Sequence, residues 1–139
     1  MKERIKDKID QIENFLDELY SNIPLDIDVE EYKKDIKLKA ICERYFEKIV
    51  EAIIDLAFLT IRLKKLKIPE DDESSFTILY ENKIIQKNLA ENLRKAKGMR
   101  NVIAHQYGVI DDEKVFHSVY EMLENDTKEF IKGVELSLK

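Results

Sequence analysis

Four side chains suited to phosphodiester chemistry lie close together in the C-terminal third of the chain. Arg100, Asn101, His105 and Tyr107 fall within eight residues, although the sequence holds only five arginines and two histidines. A histidine exchanges a proton near neutral pH, and an arginine presents a planar fork of donors to phosphate oxygens. RNA carries its own nucleophile in the 2′-hydroxyl, so base catalysis and anion stabilisation suffice without a metal ion. The segment is therefore suited to RNA cleavage.

The spacing of these residues limits how they can act together. At about 100° per residue, Arg100 and His105 lie about 140° apart on a regular helix, whereas Asn101 and His105 share a face. Convergence needs long side chains that fold around the helix, a distorted helix, or two copies of the segment that meet at a dimer axis. A purely structural interpretation also stays open, in which Arg100 and His105 form a surface ion pair and a helix cap.

Two long helices are predicted before the motif. Residues 2–20 form the first, because its apolar residues recur at intervals of four and three. The second opens near Asp28, at a sequence close to a capping box. No Gly or Pro interrupts it before Pro69, so it runs for more than about thirty residues. Between Ile49 and Ile61 it is apolar on more than one side, which requires burial by several neighbours or by a second subunit.

The remaining chain predicts three further helices joined by short polar connections. The expected bounds are Ser74 or Ser75 to Asn82, Ile84 to the region of His105 with a stop at Gly108, and a last helix that starts at Asp111 or Asp112. We therefore expect one all-α domain over residues 1–139, an antiparallel up-and-down bundle of about five helices.

Composition excludes several classes of protein. Three glycines and two prolines are too few for the turns of sheet-rich folds, Rossmann units and P-loops. A net charge of −5 argues against a protein that coats duplex nucleic acid. The single cysteine, Cys42, permits neither an intrachain disulfide nor a multi-cysteine zinc site. The charged N-terminus lacks the apolar region of a signal peptide and no stretch spans a bilayer, so we expect a cytoplasmic protein.

The acidic run over residues 70–73 lacks the glycine and the alternating ligands of a calcium-binding EF-hand loop. We therefore predict a solvated loop there, and neither a metal site nor a cofactor.

The motif resembles the Arg-x4-His-x-Tyr motif of the HEPN superfamily, and more narrowly the HepT-like (DUF86) toxins of HepT–MntA toxin–antitoxin pairs. Arg100 and Asn101 stand at its start, and His105 and Tyr107 close it. The resemblance extends over nearly the whole chain, including the long helix and the residues that follow Tyr107. It implies a HEPN helical bundle that forms a homodimer and cleaves RNA without metal, at a composite cleft built from both protomers.

The resemblance also implies a role for each motif residue. His105 matches the catalytic histidine, Arg100 the phosphate-binding arginine, and Asn101 the polar residue that follows that arginine. Tyr107 matches the tyrosine that an MntA-type nucleotidyltransferase antitoxin modifies with AMP to silence the toxin. RNA and this antitoxin are the expected partners, in a type VII toxin–antitoxin system, and DNA and membranes are not.

A second function stays open. The chain would then be a non-catalytic HEPN partner, or a substrate-binding subunit, of a nucleotidyltransferase. The acidic composition leaves only one obvious group of cations near the motif, formed by Arg94, Lys95, Lys97 and Arg100.

Overall fold

The computed structural model describes residues 1–105 and 109–139, which contain helices and no strand. The all-α prediction is therefore confirmed. The helical segments are α1 (Lys2–Ser21), α2 (Val29–Lys34), α3 (Ile36–Leu63), α4 (Asp72–Glu81), α5 (Lys87–His105), α6 (Asp112–His117), a π-helical turn (Ser118–Met122) and α7 (Leu123–Ser137). Among them, no helix is both long enough and apolar enough to cross a membrane.

Helix α3 forms the centre of the bundle and packs against α1, α4, α5 and α7. Its residues from Ile49 to Ile61 are apolar on several sides, and Ile49, Ile53 and Leu56 have no exposed surface. The stripe of α1 that begins at Ile5 is buried against this core. Because helices of the same chain cover α3, its apolar surface gives no argument for a second subunit. The expected dimer therefore depends on the resemblance and on the geometry of the motif.

The second predicted helix is not continuous, because the chain breaks at Asp35. The capping box of α2 at Asp28 and Glu31 is confirmed. At Asp35 the backbone is extended (φ −99°, ψ 95°), and its carboxylate accepts a hydrogen bond of 3.0 Å from the backbone N–H of Leu38. Aspartate competes well for such backbone donors, which favours helix starts over helix interiors. This carboxylate caps α3 and ends α2 without any Gly or Pro.

Helix α4 starts one turn earlier than predicted. Its cap is Asp71, not Ser74 or Ser75, and Ser74 is the reciprocal partner in the capping box. The Ser74 backbone N–H donates to Asp71 Oδ1 at 2.7 Å, and the Asp71 N–H donates to Ser74 Oγ at 3.1 Å. The acidic run is therefore not a loop throughout, since it supplies the cap and first turn of α4, where carboxylates favour the helix dipole.

The other predicted bounds agree with the structure in part. Helix α4 ends at the expected Asn82, and Asp111 caps α6. Helix α5 begins at Lys87, later than Ile84. The predicted stop at Gly108 lies outside the described residues.

A π-helical turn separates α6 from α7 and was not predicted. The backbone N–H of Leu123 donates to the carbonyl of Ser118, five residues back, instead of to Val119. The Val119 carbonyl accepts from the Tyr20 hydroxyl at 2.6 Å. A side chain inserted into the hydrogen-bond ladder is a recognised cause of such a bulge. Tyr20 on α1 therefore stabilises an irregular turn in a distant helix.

Candidate functional site

The motif residues that the structure describes lie on the last two turns of α5. This element is α-helical from Lys87 to His105, so a helix distortion between Arg100 and His105 is excluded. The two side chains leave the helix about 140° apart, as a regular helix requires. Tyr107 lies outside the described residues.

Arg100 points toward α3 and is largely buried. Its Nη2 lies 3.3 Å from Glu51 Oε2, and its side chain is 18% exposed. Its Nη1 donates to Asn101 Oδ1 at 3.3 Å. The Nε–H group is buried and has no hydrogen-bond partner within residues 1–105 and 109–139. The guanidinium is thus held by two oxygen atoms on different elements, one on α3 and one on α5 itself.

His105 ends α5 and is exposed. Asn101 lies one turn before it and is partly buried. Because Asn101 bonds to Arg100 and shares a helix face with His105, it lies between the two groups on the surface of α5. Within one chain, the guanidinium is tied toward α3, and the His105 side chain leaves α5 about 140° around the helix axis from Arg100. Arg100 and His105 of one copy therefore start from different sides of α5.

The contact between Glu51 and Arg100 was not predicted from the sequence. Glu51 is an exposed carboxylate in a run of buried apolar residues on α3, between Val50 and Ala52. An acidic residue inside such a run lies where the surface of the helix leaves the core. This interruption of the apolar pattern was the signal that the sequence offered for Glu51. Arg44, also on α3, lies 3.7 Å from Glu47 and so has its own carboxylate partner.

The four cations near the motif do not form one cluster. Lys95 lines a groove on one side of α5, whereas Arg100 meets Glu51. Arg94 and Lys97 act on Asp71 at the start of α4. The pKa of Asp71 is lowered mainly by the hydrogen bond from the Ser74 backbone, and to a lesser extent by these two cations. Arg94, Lys97 and Arg100 recur at intervals of three residues and so lie on one side of α5, whereas Lys95 lies on another.

An apolar groove lies on the side of α5 that faces away from Asn101. It has a volume of about 620 Å³ and is bordered by α3, α5 and the π-helical turn. Met99 and Ile103 line it from α5, and Phe46 and Val50 from α3. Asn101 lies about 200° around the helix from Met99. Apolar walls do not suit a phosphate, so this groove is not the place for the chemistry of Arg100 and His105.

Cys42 is fully buried, and burial raises the pKa of its thiol to about 12. In the described ranges, His, Cys, Asp and Glu side chains form no group of three or more that would hold a metal ion.

Comparison with known proteins identifies the family. The model of the HepT-like ribonucleases matches residues 5–134, which include the whole motif. The chain belongs to the HepT-like ribonuclease family. The resemblance read from the motif is thereby confirmed.

The matches to two named relatives cover most of this chain and most of each relative. An mRNA nuclease HepT of Shewanella oneidensis is 35% identical over 108 residues, which are 78% of this chain and 80% of that protein. A tRNA nuclease HepT of Aphanizomenon flos-aquae is 30% identical over 118 residues, or 83% of this chain and 77% of that one. HepT-like relatives of this degree of similarity are thus named as nucleases of two RNA classes.

A solved structure shares the fold. The tri-AMPylated HEPN toxin of Shewanella oneidensis, in complex with its MNT antitoxin, superposes with a TM-score of 0.83 at 30% identity. The match covers 98% of this chain and 99% of that one. The predicted HEPN bundle is therefore confirmed for this member of the HepT-like family.

Proposed function

We propose that this chain is the toxin of a HepT–MntA (type VII) toxin–antitoxin pair and cleaves RNA as a metal-independent endoribonuclease in the cytoplasm. The observation that carries the proposal is the placement of Arg100, Asn101 and His105 on the last turns of α5 in a HepT-like fold. The relatives named as mRNA and tRNA nucleases support an RNA substrate.

The proposed reaction uses the nucleophile that RNA supplies. His105 accepts the proton of a 2′-hydroxyl, the 2′-oxygen bonds to the adjacent phosphorus, and the bond from phosphorus to the 5′-oxygen breaks. The leaving oxygen takes a proton from an imidazolium, which gives a 5′-hydroxyl end and a 2′,3′-cyclic phosphate. Arg100 stabilises the negative charge that grows on the phosphate oxygens, and Asn101 orients the guanidinium.

A homodimer is the arrangement that best reconciles this chemistry with the geometry. In one chain Arg100 is tied toward α3 by Glu51 at 3.3 Å, while His105 is exposed on another side of α5. Twofold pairing of two such surfaces would bring a guanidinium and an imidazole from both copies into one cleft. It would also supply two histidines, one as the base and one as the acid.

The partner that silences the toxin is proposed to be an MntA-type nucleotidyltransferase. It would transfer AMP from a nucleotide to the Tyr107 oxygen, with release of pyrophosphate. The added phosphate brings negative charge and bulk next to the cleft and would repel RNA. The AMPylated toxin in complex with its antitoxin supports this proposal. A Tyr107→Phe variant should keep its nuclease activity and escape silencing; a partner that still silences it would show that the modification is elsewhere.

The deciding experiment is RNA cleavage by purified protein and two histidine variants. His105→Ala should lower the cleavage rate by about 10²–10⁴-fold, the usual contribution of a general acid or base, and Arg100→Ala should also abolish cleavage. His117→Ala is the matched control, since His117 is the other histidine, has a side chain 52% exposed and pairs with Glu121 in the adjoining π-helical turn. Retained cleavage by His105→Ala would refute the proposal.

Four further readouts define the reaction and the assembly. Products should carry 2′,3′-cyclic phosphate ends, EDTA should not inhibit, and light scattering should give the mass of a dimer. RNA affinity should fall steeply with salt, because the contacts are to phosphates. Intact RNA together with binding to the nucleotidyltransferase would instead support the alternative of a non-catalytic partner subunit.

A further inference from the structure

The carboxylate of Glu51 forms an ion pair with the proposed phosphate-binding arginine, yet it lies outside the motif, on α3. The Glu51 Oε2 atom is 3.3 Å from Arg100 Nη2. Asn101 Oδ1 is 3.3 Å from Nη1. The two terminal nitrogens of one guanidinium are therefore held from two sides by two different oxygens.

Burial explains why this carboxylate matters. The Arg100 side chain is 18% exposed, and its Nε–H is buried without a partner in the part of the chain that the structure describes. A guanidinium stays charged in a protein, so a largely buried one needs a compensating charge. Glu51 is the only carboxylate within ion-pair distance of Arg100 in residues 1–105 and 109–139. Without Glu51, the charged guanidinium would be more stable if it turned toward water.

We propose that Glu51 is a positioning residue for the RNA cleavage proposed above. Its carboxylate and the Asn101 amide oxygen fix the plane of the Arg100 guanidinium, so that the remaining N–H groups face the phosphate before RNA arrives. Glu51 does not touch the reacting atoms in this arrangement. The inference rests on the proposed nuclease function, because it assigns Arg100 to the phosphate.

The position of Glu51 predicts that its loss lowers the cleavage rate without weakening the binding of RNA. Misplacement of a group by about 1 Å costs up to about 10²-fold in rate, so loss of the carboxylate should lower kcat. The same carboxylate repels a phosphate that approaches Arg100, so its loss should leave KM unchanged or lower it. A variant that is merely less folded would show a smaller active fraction and an unchanged KM together with a lower melting temperature.

The kinetic test compares Glu51→Gln with Asp55→Asn. Asp55 is a matched control, one turn further along α3: its side chain is 54% exposed, against 57% for Glu51, and it pairs with Lys8 on α1 at 3.5 Å. We expect kcat to fall by about 10–100-fold in Glu51→Gln, with KM equal to or below that of the wild type. Glu51→Asp, which keeps the charge on a shorter side chain, should recover part of the rate. Asp55→Asn should match the wild type.

Three outcomes would overturn the positioning role. They are a kcat of Glu51→Gln within twofold of the wild type, a KM that rises as kcat falls, and an equal loss of rate in Asp55→Asn. A rate above that of the wild type would show instead that Glu51 restrains Arg100 and inhibits the enzyme.

A second readout separates this inference from the nuclease proposal itself. The protein has five arginines, and ¹⁵N NMR resolves their Nε–H groups without any RNA. The buried Nε–H of Arg100 should exchange slowly with water in the wild type and in Asp55→Asn, and faster in Glu51→Gln. If the wild type cleaves no RNA, the proposed function fails, but this measurement still decides whether Glu51 holds Arg100. An unchanged exchange rate in Glu51→Gln would refute the positioning role.

Discussion

Replacement of Gly133 by alanine tests how α5 is held in place against the last helix. Gly133 lies in the middle of α7, and an ideal Cβ built on it would be 2.5 Å from the carbonyl oxygen of Ile84 and 3.4 Å from Ile85 Cγ2. Attractive contacts between heavy atoms occur at about 3.5–4.0 Å. The methyl group would therefore displace the Ile84 backbone by about an ångström. That backbone belongs to the turn that leads into α5, which carries the candidate site.

The expected cost follows from two opposing terms. Overpacking of this kind costs about 1–3 kcal/mol, and the obstacle is a carbonyl oxygen, which cannot rotate away as a flexible side chain can. Alanine in a helix interior is favoured over glycine by about 1 kcal/mol. Because this obstacle is rigid, the overpacking cost should lie in the upper half of its range, and the net loss should be about 1–2 kcal/mol. For a chain of 139 residues, such a loss lowers the melting temperature by about 3–7 °C.

Urea and thermal melts followed by circular dichroism measure this difference, with Gly98→Ala as the control. Gly98 lies in α5, and a Cβ there would meet nothing within 4 Å. That variant should be more stable than the wild type by up to about 1 kcal/mol. A Gly133→Ala protein as stable as the wild type would refute the reasoning, because the Ile84 backbone would then yield at no cost.

Three further substitutions test polar groups that the sequence did not single out. Tyr20→Phe should destabilise the protein by about 1–3 kcal/mol in a urea melt, because it leaves the Val119 carbonyl without its donor. Tyr32→Phe should be neutral or stabilising in the same melt, since the buried Tyr32 hydroxyl has no partner among the described residues; equal losses in the two variants would contradict both assignments. The pKa of Glu43 is raised by burial and then by Asp112, so the native state binds this proton more tightly and gains stability as the pH falls through that pKa. Glu43→Gln should therefore be more stable than the wild type at pH 7, and urea melts toward pH 4 should show that advantage shrink; a constant difference between the two proteins across that range would exclude Glu43 as its source.

The sequence predicts best those features that depend on neighbouring residues along the chain. The spacing of Ile5 and its successors defines both the length and the buried face of α1. Asp28 and Glu31 form their capping box because both partners lie within one turn. The placement of Arg100 and His105 at the end of one helix follows from the same local periodicity. The extent of one domain over residues 1–139 stays a prediction.

The features that sequence reasoning missed depend on partners distant along the chain. The π-helical turn exists where the Tyr20 hydroxyl reaches the Val119 carbonyl, 99 residues away in sequence. The contact of Glu51 with Arg100 likewise appears only once α3 and α5 are packed side by side. Asp35 is an intermediate case, because aspartate is a recognisable cap, but nothing local indicates that it should interrupt a strongly apolar helix. Tertiary contacts thus decided the π-helical turn and the pairing of Glu51 with Arg100.

The balance of charge around α5 bears on how an acidic protein would process RNA. Arg100 faces Glu51, and Arg94 and Lys97 face Asp71, so a carboxylate partly neutralises each of these cations. Such a surface attracts the RNA polyanion less than an uncompensated basic patch would. The reaction nevertheless requires stabilisation of the additional charge in the transition state, and tight binding of the substrate does not supply it. In the proposed mechanism, a guanidinium held in place by Glu51 and Asn101 would give that stabilisation at little cost in reorganisation, so weak binding of RNA by a single chain would be compatible with efficient cleavage.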